Sequence, residues 1–197
     1  MELPDIAELP PDMSRDLSRA MYPSGPYGGT VGNVVDNFKF QGYFSPSKTS
    51  GLASTETFGE VSWDMLRMTP DAKYLMIHMA AYWCGPCLSA AKQLAAKAPE
   101  MVPKGGLLMG VLTEGRTPSE PATESNLGSF INKAKAPFTY TLDSVSPQTD
   151  LESYFDSLRD SFIIIDLSTM KIVNIIDNFS GGGGVAEAIP TFEALLH

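Results

Sequence analysis

A long apolar run lies near the middle of the chain, from Tyr74 to Ala81. In an extended strand, alternate side chains point to opposite faces, so residues 74, 76, 78 and 80 share one face and residues 75, 77 and 79 share the other. Both sets are apolar except for His78, as is typical of a strand that is covered on both faces. The pattern therefore predicts a buried central strand over residues 73–80.

Several other segments show strand patterns. Residues 107–112 are almost wholly apolar and predict a second buried strand, which an alanine-rich helix over residues 88–98 joins to the first in a right-handed β-α-β unit. We expect Pro99 and Pro103 to end that helix. Further strands are predicted over residues 34–43 and 138–142, with a hairpin at one end of the sheet over 161–166 and 171–176.

Cap residues mark the remaining helices. Ser62 is the expected cap of a short helix within residues 61–68, and Thr123 or Ser125 is the expected cap of a helix that runs to about residue 135. Pro190 is expected to interrupt the last helix. Two helices are predicted near residues 151–158 and 185–196, and loops over 45–60, 113–122 and 144–149.

The first 30 residues differ in composition from the rest. Five prolines and three glycines interrupt them, and only a short helix near residues 12–21 is expected. We interpret residues 1–30 as an N-terminal extension, either a tether or a segment strapped across the domain. Residues 31–197 are long enough to form one domain with a sizeable core.

The charge of the chain limits its partners. Fourteen basic and 23 acidic side chains give a formal net charge of −9, which argues against nucleic acid or an anionic membrane surface as a partner. No apolar run reaches the roughly 18 residues of a membrane-spanning helix, so we expect no membrane span. The first residues, Met1 to Asp5, show no signal peptide, which by itself would indicate a cytoplasmic protein.

Both cysteines of the chain, Cys84 and Cys87, lie directly after the predicted central strand. Pro86 suits the first position of a helix, so Cys84 should lie at the helix start, where free N–H groups and the helix dipole favour a thiolate. Cysteines in such motifs have pKa values of roughly 3.5–7.5. Cys87 lies three residues on, near the same helix face, and can attack a mixed disulfide on Cys84.

The sequence Trp83-Cys84-Gly85-Pro86-Cys87 after an apolar strand resembles the active site of the thioredoxin superfamily. The flanking layout, over roughly residues 34–197, resembles the membrane-anchored or secreted redoxins. The resemblance implies an α/β fold: a thioredoxin-like three-layer sandwich with a central mixed sheet, here with an N-terminal extension. It implies a thiol–disulfide oxidoreductase in which Cys84 reacts with the partner and Cys87 resolves.

The same resemblance implies several further properties. Trp83, Gly85 and Pro86 would shape the turn and contact the partner, which would be a protein or small-molecule thiol or disulfide. No cofactor is expected, because electrons travel as thiols, and we expect a monomer. Redoxins of this branch are usually exported, so we expect a periplasmic or other extracytoplasmic location, with the cytoplasm as the alternative.

Two residues outside the motif carry further expectations. His78 lies six residues before Cys84, where thioredoxin-like proteins commonly carry an Asp or Asn, so by the resemblance it would exchange protons with Cys87. The alternative is a neutral core histidine. By the resemblance, Asp160 falls where the family places a cis-proline beside the dithiol, and Asp160 and its neighbours would line the groove that binds the partner. Its preceding peptide bond should be trans, and its carboxylate should raise the pKa of Cys84. The alternative is an ordinary turn residue.

Other functions are compatible with parts of this pattern. For the cysteine pair itself the alternatives are a structural disulfide and half of a zinc site. The zinc site is disfavoured, because too few cysteines and histidines remain for four ligands, and no metal is expected. One rival is a peroxiredoxin-like thiol peroxidase, although peroxiredoxins carry a threonine where this chain has Ala81. The other rival is a redox-inert binding module with the same fold.

Overall fold

The computed structural model describes residues 22–143, 151–155, 160–178 and 183–197. Within these ranges seven strands and five α-helices form, with short 3-10 turns at Ala53–Thr55 and Val102–Lys104. The strands are β1 Lys39–Tyr43, β2 Phe58–Ser62, β3 Tyr74–Ala81, β4 Gly106–Glu114, β5 Thr139–Leu142, β6 Phe162–Asp166 and β7 Lys171–Ile176. The helices are α1 Trp63–Arg67, α2 Gly85–Met101, α3 Glu124–Ala134, α4 Leu151–Tyr154 and α5 Gly184–Leu195.

All seven strands belong to one mixed sheet with the order β2-β1-β5-β4-β3-β6-β7. The central pairs β3–β4 and β4–β5 are parallel, and the outer pairs are antiparallel. The two parallel neighbours need crossover connections, which α2 and α3 provide. The predicted β-α-β unit and the predicted hairpin at one end of the sheet are therefore confirmed.

Helices cover both faces of the sheet. On one face α2, α3 and α5 bury side chains such as Leu94, Phe130 and Phe192 against the strands. On the other face the short helices α1 and α4, with Trp63 and Leu151, cover a second apolar cluster. This is the three-layer sandwich that the sequence predicts, and β3 is buried on both sides at its centre.

The predicted helix caps are present. Ser62 accepts a hydrogen bond from the Met65 backbone N–H at the start of α1. Thr123 does the same for Asn126 at the start of α3, and the Asn126 side chain bonds back to the Thr123 N–H. Such reciprocal bonds satisfy backbone donors that a helix start leaves free, and so fix where each helix begins.

Two sequence predictions about the first strands are wrong. The strand predicted over residues 34–43 begins only at Lys39. The segment before it packs into the second apolar cluster and lies beside β7, where Val34 makes an isolated bridge to Lys171 and the Val35 N–H bonds to the Met170 carbonyl. The loop predicted over residues 45–60 ends in β2, which begins at Phe58 and pairs with β1. A short edge strand of mixed polarity leaves little signal in the sequence.

A proline lies inside each of the two longest helices, although α2 does end at Met101, two residues before Pro103. Pro99 lies inside α2, which runs on to Met101, because Ala98 and Met101 are both fully buried against the sheet and their packing outweighs one lost backbone bond. Pro190 lies on the exposed side of α5, which continues past it because Phe192 is buried.

The predicted helix near residues 12–21 and the turn at 144–149 lie outside the described residues, as does the end of the helix predicted over 151–158. The described end of the N-terminal extension contacts the domain: the Tyr22 hydroxyl donates to the Val35 carbonyl at 2.8 Å. No helix in the described ranges is long and apolar enough to cross a bilayer.

Candidate active site

Cys84 and Cys87 form a disulfide at the start of α2, with their Cα atoms 5.3 Å apart. The chain leaves β3 at Ala81 and makes a tight turn, in which the Cys84 N–H bonds to the Ala81 carbonyl at 3.1 Å. Cys84 is the N-cap of α2, and Pro86 lies in its first turn, where no backbone donor is needed. The strand, turn and helix predicted around the motif are therefore confirmed.

The Cys84 sulfur lies where a negative charge is favoured. The backbone N–H of Cys87 points at Cys84 Sγ at 3.1 Å, in the place of a helix-capping hydrogen bond. A hydrogen bond to the charged form of a group, together with the helix dipole, lowers its pKa. After reduction of the disulfide, this arrangement would stabilise a Cys84 thiolate.

The two sulfurs differ in access to solvent. Cys84 is half-buried and Cys87 is only 1% exposed. A cavity of about 300 Å³ opens beside them, lined by Ala81, Trp83, Cys84, Pro86, Cys87, Asp160 and Asn178. Cys84 is therefore the more accessible of the two sulfurs from the cavity, and Cys87 lies behind it.

Asp160 lies beside the disulfide. Its carboxylate oxygen and the two cysteine sulfurs are all within 4.8 Å of one another, and the residue is 5% exposed. Its φ of 48° is in the left-handed region, which Asp tolerates better than most residues. The peptide bond before Asp160, for which the sequence predicts the trans form, joins it to a residue outside the described ranges.

Two side chains hold the Asp160 carboxylate. Asn178 Nδ2 donates to Oδ2 at 2.6 Å, and His78 Nε2 lies 3.3 Å from Oδ1. Burial opposes ionisation of Asp160, but the hydrogen bonds from His78 and Asn178 outweigh burial and hold the pKa of the carboxyl below its ordinary value. Asp160 is therefore ionised at neutral pH, so the proton between the pair belongs on His78 Nε2.

His78 is fully buried on the face of β3 that packs against α2. Its ring is stacked on Phe162, with centroids 4.8 Å apart and planes 9° from parallel. The imidazole is thus linked to the neighbourhood of the dithiol through Asp160. The sequence singled out His78 and Asp160 separately, and the structure places them in hydrogen-bond contact.

Two residues of this site were not found from the sequence. Glu114, 4% exposed, accepts a hydrogen bond from Trp83 Nε1 at 2.7 Å and another from the Ser119 N–H at 2.8 Å. Its position at the carboxyl end of β4, next to the end of β3, was an available signal, because parallel strands end at the same edge. Asn178 follows β7 in a segment without a recognisable pattern, so nothing in the sequence pointed to it.

Trp83 is 39% exposed and lines the cavity, with its indole fixed by Glu114. Gly85 and Pro86 are exposed at the mouth of the same turn. Among the described residues, one group of possible metal ligands appears: Cys84, Cys87 and Asp160. Three donors, two of them oxidised to a disulfide, are fewer than the four of a structural zinc site.

No protein-family model and no curated protein sequence matches this chain. Solved structures do match. The thioredoxin domain of a thiol-disulfide oxidoreductase from Bacteroides vulgatus is 17% identical, with a TM-score of 0.59, over 85% of this chain and 99% of that one. A reduced 2-Cys peroxiredoxin from Plasmodium vivax is 18% identical, with a TM-score of 0.56, over 85% and 82%.

A secreted disulfide oxidoreductase from Mycobacterium tuberculosis is also similar, at 14% identity and a TM-score of 0.50, over 77% of this chain and 96% of that one. At these identities the likeness shows the fold alone. The fold is thioredoxin-like, as expected from the sequence, and it is shared by redoxins of both the disulfide-oxidoreductase and the peroxiredoxin kinds.

Proposed function

We propose that the protein is a thiol–disulfide oxidoreductase that acts on protein or small-molecule disulfides through Cys84 and Cys87. The observation that carries the proposal is the disulfide at the start of α2. Cys84 is half-buried and its sulfur accepts a hydrogen bond from the Cys87 N–H, and Cys87 is buried behind it. The fold and the redox-capable cysteine pair support this activity, and the adjoining cavity gives a partner room to approach.

In the reducing direction, the Cys84 thiolate attacks one sulfur of the partner disulfide. That bond breaks, the other partner sulfur leaves as a thiolate and takes a proton from water, and a mixed disulfide forms on Cys84. Cys87 then loses its proton and attacks Cys84 Sγ. The second partner sulfur leaves as a thiolate, and the Cys84–Cys87 disulfide is restored, so two electrons pass to the partner. Disulfide donation runs the same steps in reverse.

The neighbouring residues have separate roles in this proposal. The ionised Asp160 is close enough to both sulfurs to receive the proton of Cys87, directly or through water, and His78 and Asn178 hold the carboxylate in place. Glu114 keeps the Trp83 indole at the cavity wall, where it limits access to Cys84. Gly85 and Pro86 leave the mouth of the turn free of bulky side chains.

The proposal extends to location and partners. We infer an extracytoplasmic site of action, which the secreted redoxin among the similar structures supports. The net charge of −9 argues against nucleic acid as a partner, and the cysteine pair suits a thiol or disulfide partner. The protein works as a monomer and needs no cofactor, because the dithiol carries the electrons.

Trapping tests the proposal directly. Cys87→Ala should accumulate a mixed disulfide with a disulfide-containing test protein such as insulin, because nothing resolves the bond on Cys84. Cys84→Ala is the matched control and should trap nothing. The wild-type protein with dithiothreitol should accelerate insulin precipitation, and both variants should fail to do so.

Each rival function predicts another result. If Cys87→Ala consumes hydrogen peroxide rapidly and neither traps nor reduces insulin, the protein is a peroxidase. If Cys84 in the reduced protein has an ordinary thiol pKa and no insulin reduction occurs, the fold serves as a redox-inert binding module. Either outcome would refute the oxidoreductase.

A further inference from the structure

One row of side chains crosses the sheet behind the disulfide. In the strand registers, Tyr140 of β5 pairs with Gly110 of β4, Gly110 pairs with His78 of β3, and His78 pairs with Phe162 of β6. Residues paired in this way point to the same face of the sheet. Tyr140 and Phe162 both belong to the apolar cluster under α2, so the whole row lies beneath the active-site helix.

Gly110 leaves room for the Tyr140 ring over β4. A Cβ atom at position 110 would overlap the Cε1 and Cζ atoms of the Tyr140 ring. The far end of that ring therefore lies over β4 rather than over its own strand. The hydroxyl is bonded to Cζ, and His78 stands in the same row on the next strand, β3.

Tyr140 and His78 each have an unpartnered polar atom. The Tyr140 hydroxyl and His78 Nδ1 are buried and have no hydrogen-bond partner among the described residues, and both residues are 0% exposed. A buried polar atom without a hydrogen-bond partner destabilises the folded state, so two of them on one row call for an explanation. Buried water commonly supplies the partner of such atoms when two or more polar groups converge.

We propose that Tyr140 is a positioning residue of this site, and that its hydroxyl and His78 Nδ1 are joined through one buried water molecule. The hydroxyl donates to the water, the water donates to Nδ1, and Nε2–H donates to Asp160. Each donor in this series of hydrogen bonds has one acceptor. Burial raises the pKa of Tyr140, so its hydroxyl keeps the proton that this direction requires.

The proposed water selects one form of His78. A neutral imidazole carries its proton on one nitrogen, and a donor at Nδ1 leaves that proton on Nε2. The imidazole then remains a donor to Asp160, and stacking on Phe162 keeps the ring plane fixed. The consequence for proton transfer at Cys87 rests on the proposed function, but the hydrogen-bonded water itself does not.

The test uses the oxidised full-length protein, labelled with ¹⁵N in its histidines. The chain has only two histidines, His78 and the terminal His197, so their signals can be assigned with a His78→Asn variant. In the wild type, His78 should carry its proton on Nε2, and the ¹⁵N chemical shift of Nδ1 should be that of a nitrogen that accepts a hydrogen bond. In Tyr140→Phe that signal should move to the position of a nitrogen without a donor, while His197 stays unchanged.

Tyr43→Phe is the matched control, because it removes a hydroxyl from the same apolar cluster one strand further from His78. The control should leave the His78 signals in place.

Stability gives a second readout: Tyr140→Phe should reduce the folding equilibrium constant about fivefold, since the hydrogen bond of the Tyr140 hydroxyl is lost. An Nδ1 signal that is the same in wild type and Tyr140→Phe, or a Tyr140→Phe variant more stable than wild type, would overturn the proposal. Neither readout depends on oxidoreductase activity, so failure here is distinct from failure of the proposed function.

Discussion

Replacing Asp160 by Asn should lower the thiol pKa of Cys84 in the reduced protein. The substitution removes a negative charge and keeps the side-chain size and the acceptor for His78. At 4.8 Å two unit charges repel by about 0.9 kcal/mol in bulk water and by about 3.5 kcal/mol at an effective dielectric constant near 20. At 1.36 kcal/mol per pKa unit, these energies correspond to roughly 0.6 to 2.5 units.

The lower part of that range applies, because Cys84 is half-buried and the His78 N–H offsets part of the carboxylate charge. We therefore expect a fall of about one unit in the pKa of Cys84. At a pH below both pKa values the thiolate fraction of Cys84 should then be about tenfold larger than in the wild type. Because a less basic thiolate is a weaker nucleophile, alkylation by iodoacetamide should be roughly three- to fourfold faster. Cys87→Ala as the common background leaves Cys84 as the single reacting thiol.

The assay is the rate of alkylation against pH, with thiolate absorbance as an independent measure. Asn178→Ala is one control: it removes a hydrogen bond to Asp160 but keeps the charge, so it should not lower the pKa of Cys84. Glu60→Gln on the edge strand β2 is the other, and should change nothing. A Cys84 pKa in Asp160→Asn that is equal to or above the wild-type value would show that the carboxylate does not act on the sulfur.

Three further predictions concern the site and the residues packed behind it. Glu114→Gln weakens the hydrogen bond that fixes the Trp83 indole, so kcat/KM for a disulfide substrate should fall about fivefold, which corresponds to about 1 kcal/mol. The urea midpoint of unfolding should stay nearly unchanged, and an unchanged kcat/KM would contradict the role given to Glu114. Gly110→Ala should destabilise the protein by roughly 1–3 kcal/mol in urea unfolding, because the added methyl group overlaps the buried Tyr140 ring. Gly59→Ala is the control and should not destabilise it, since the space around Gly59 is open. Equal urea midpoints for the two variants would show that the overlap does not occur. Folding lowers the pKa of Asp160, so the ionised carboxylate stabilises the protein above the ordinary value of 3.8, and this stabilisation is lost as the pH falls through the folded pKa. The difference in unfolding free energy between wild type and Asp160→Asn should therefore narrow from about pH 7 to about pH 3. A difference that does not change with pH would refute this reasoning.

The centre of the fold was predictable because each signal there is local. The continuous apolar run of β3, the proline after Cys84 and the alanines of α2 indicate a strand, a turn and a helix without reference to anything distant. The caps at Ser62 and Thr123 are local as well. These features depend on backbone geometry and burial, which the sequence pattern records directly.

The predictions that failed depend on tertiary packing. Whether Pro99 ends α2 depends on how much burial the following turn gains against the sheet, and the sequence does not show that gain. The strand β2 exists because β1 offers it an edge. Local propensity gives no measure of either effect.

The site itself was predictable only in part, since its side chains come together from distant segments. His78 and Asp160 are 82 residues apart, and their contact arises from the pairing of β3 with β6. Asn178 reaches Asp160 from beyond β7, and Glu114 reaches Trp83 from β4. Family resemblance supplied positions for some of these residues, but not the bonds between them.

The anchored indole at the cavity wall gives this protein a built-in optical signal. The chain has two tryptophans: Trp83 lines the cavity beside the sulfurs, and Trp63 is buried in the cluster on the opposite face of the sheet. A disulfide quenches the fluorescence of an adjacent indole, whereas Trp63 supplies a constant background. Emission should therefore rise as the bond opens, and stopped-flow fluorimetry can time electron transfer in the unlabelled protein.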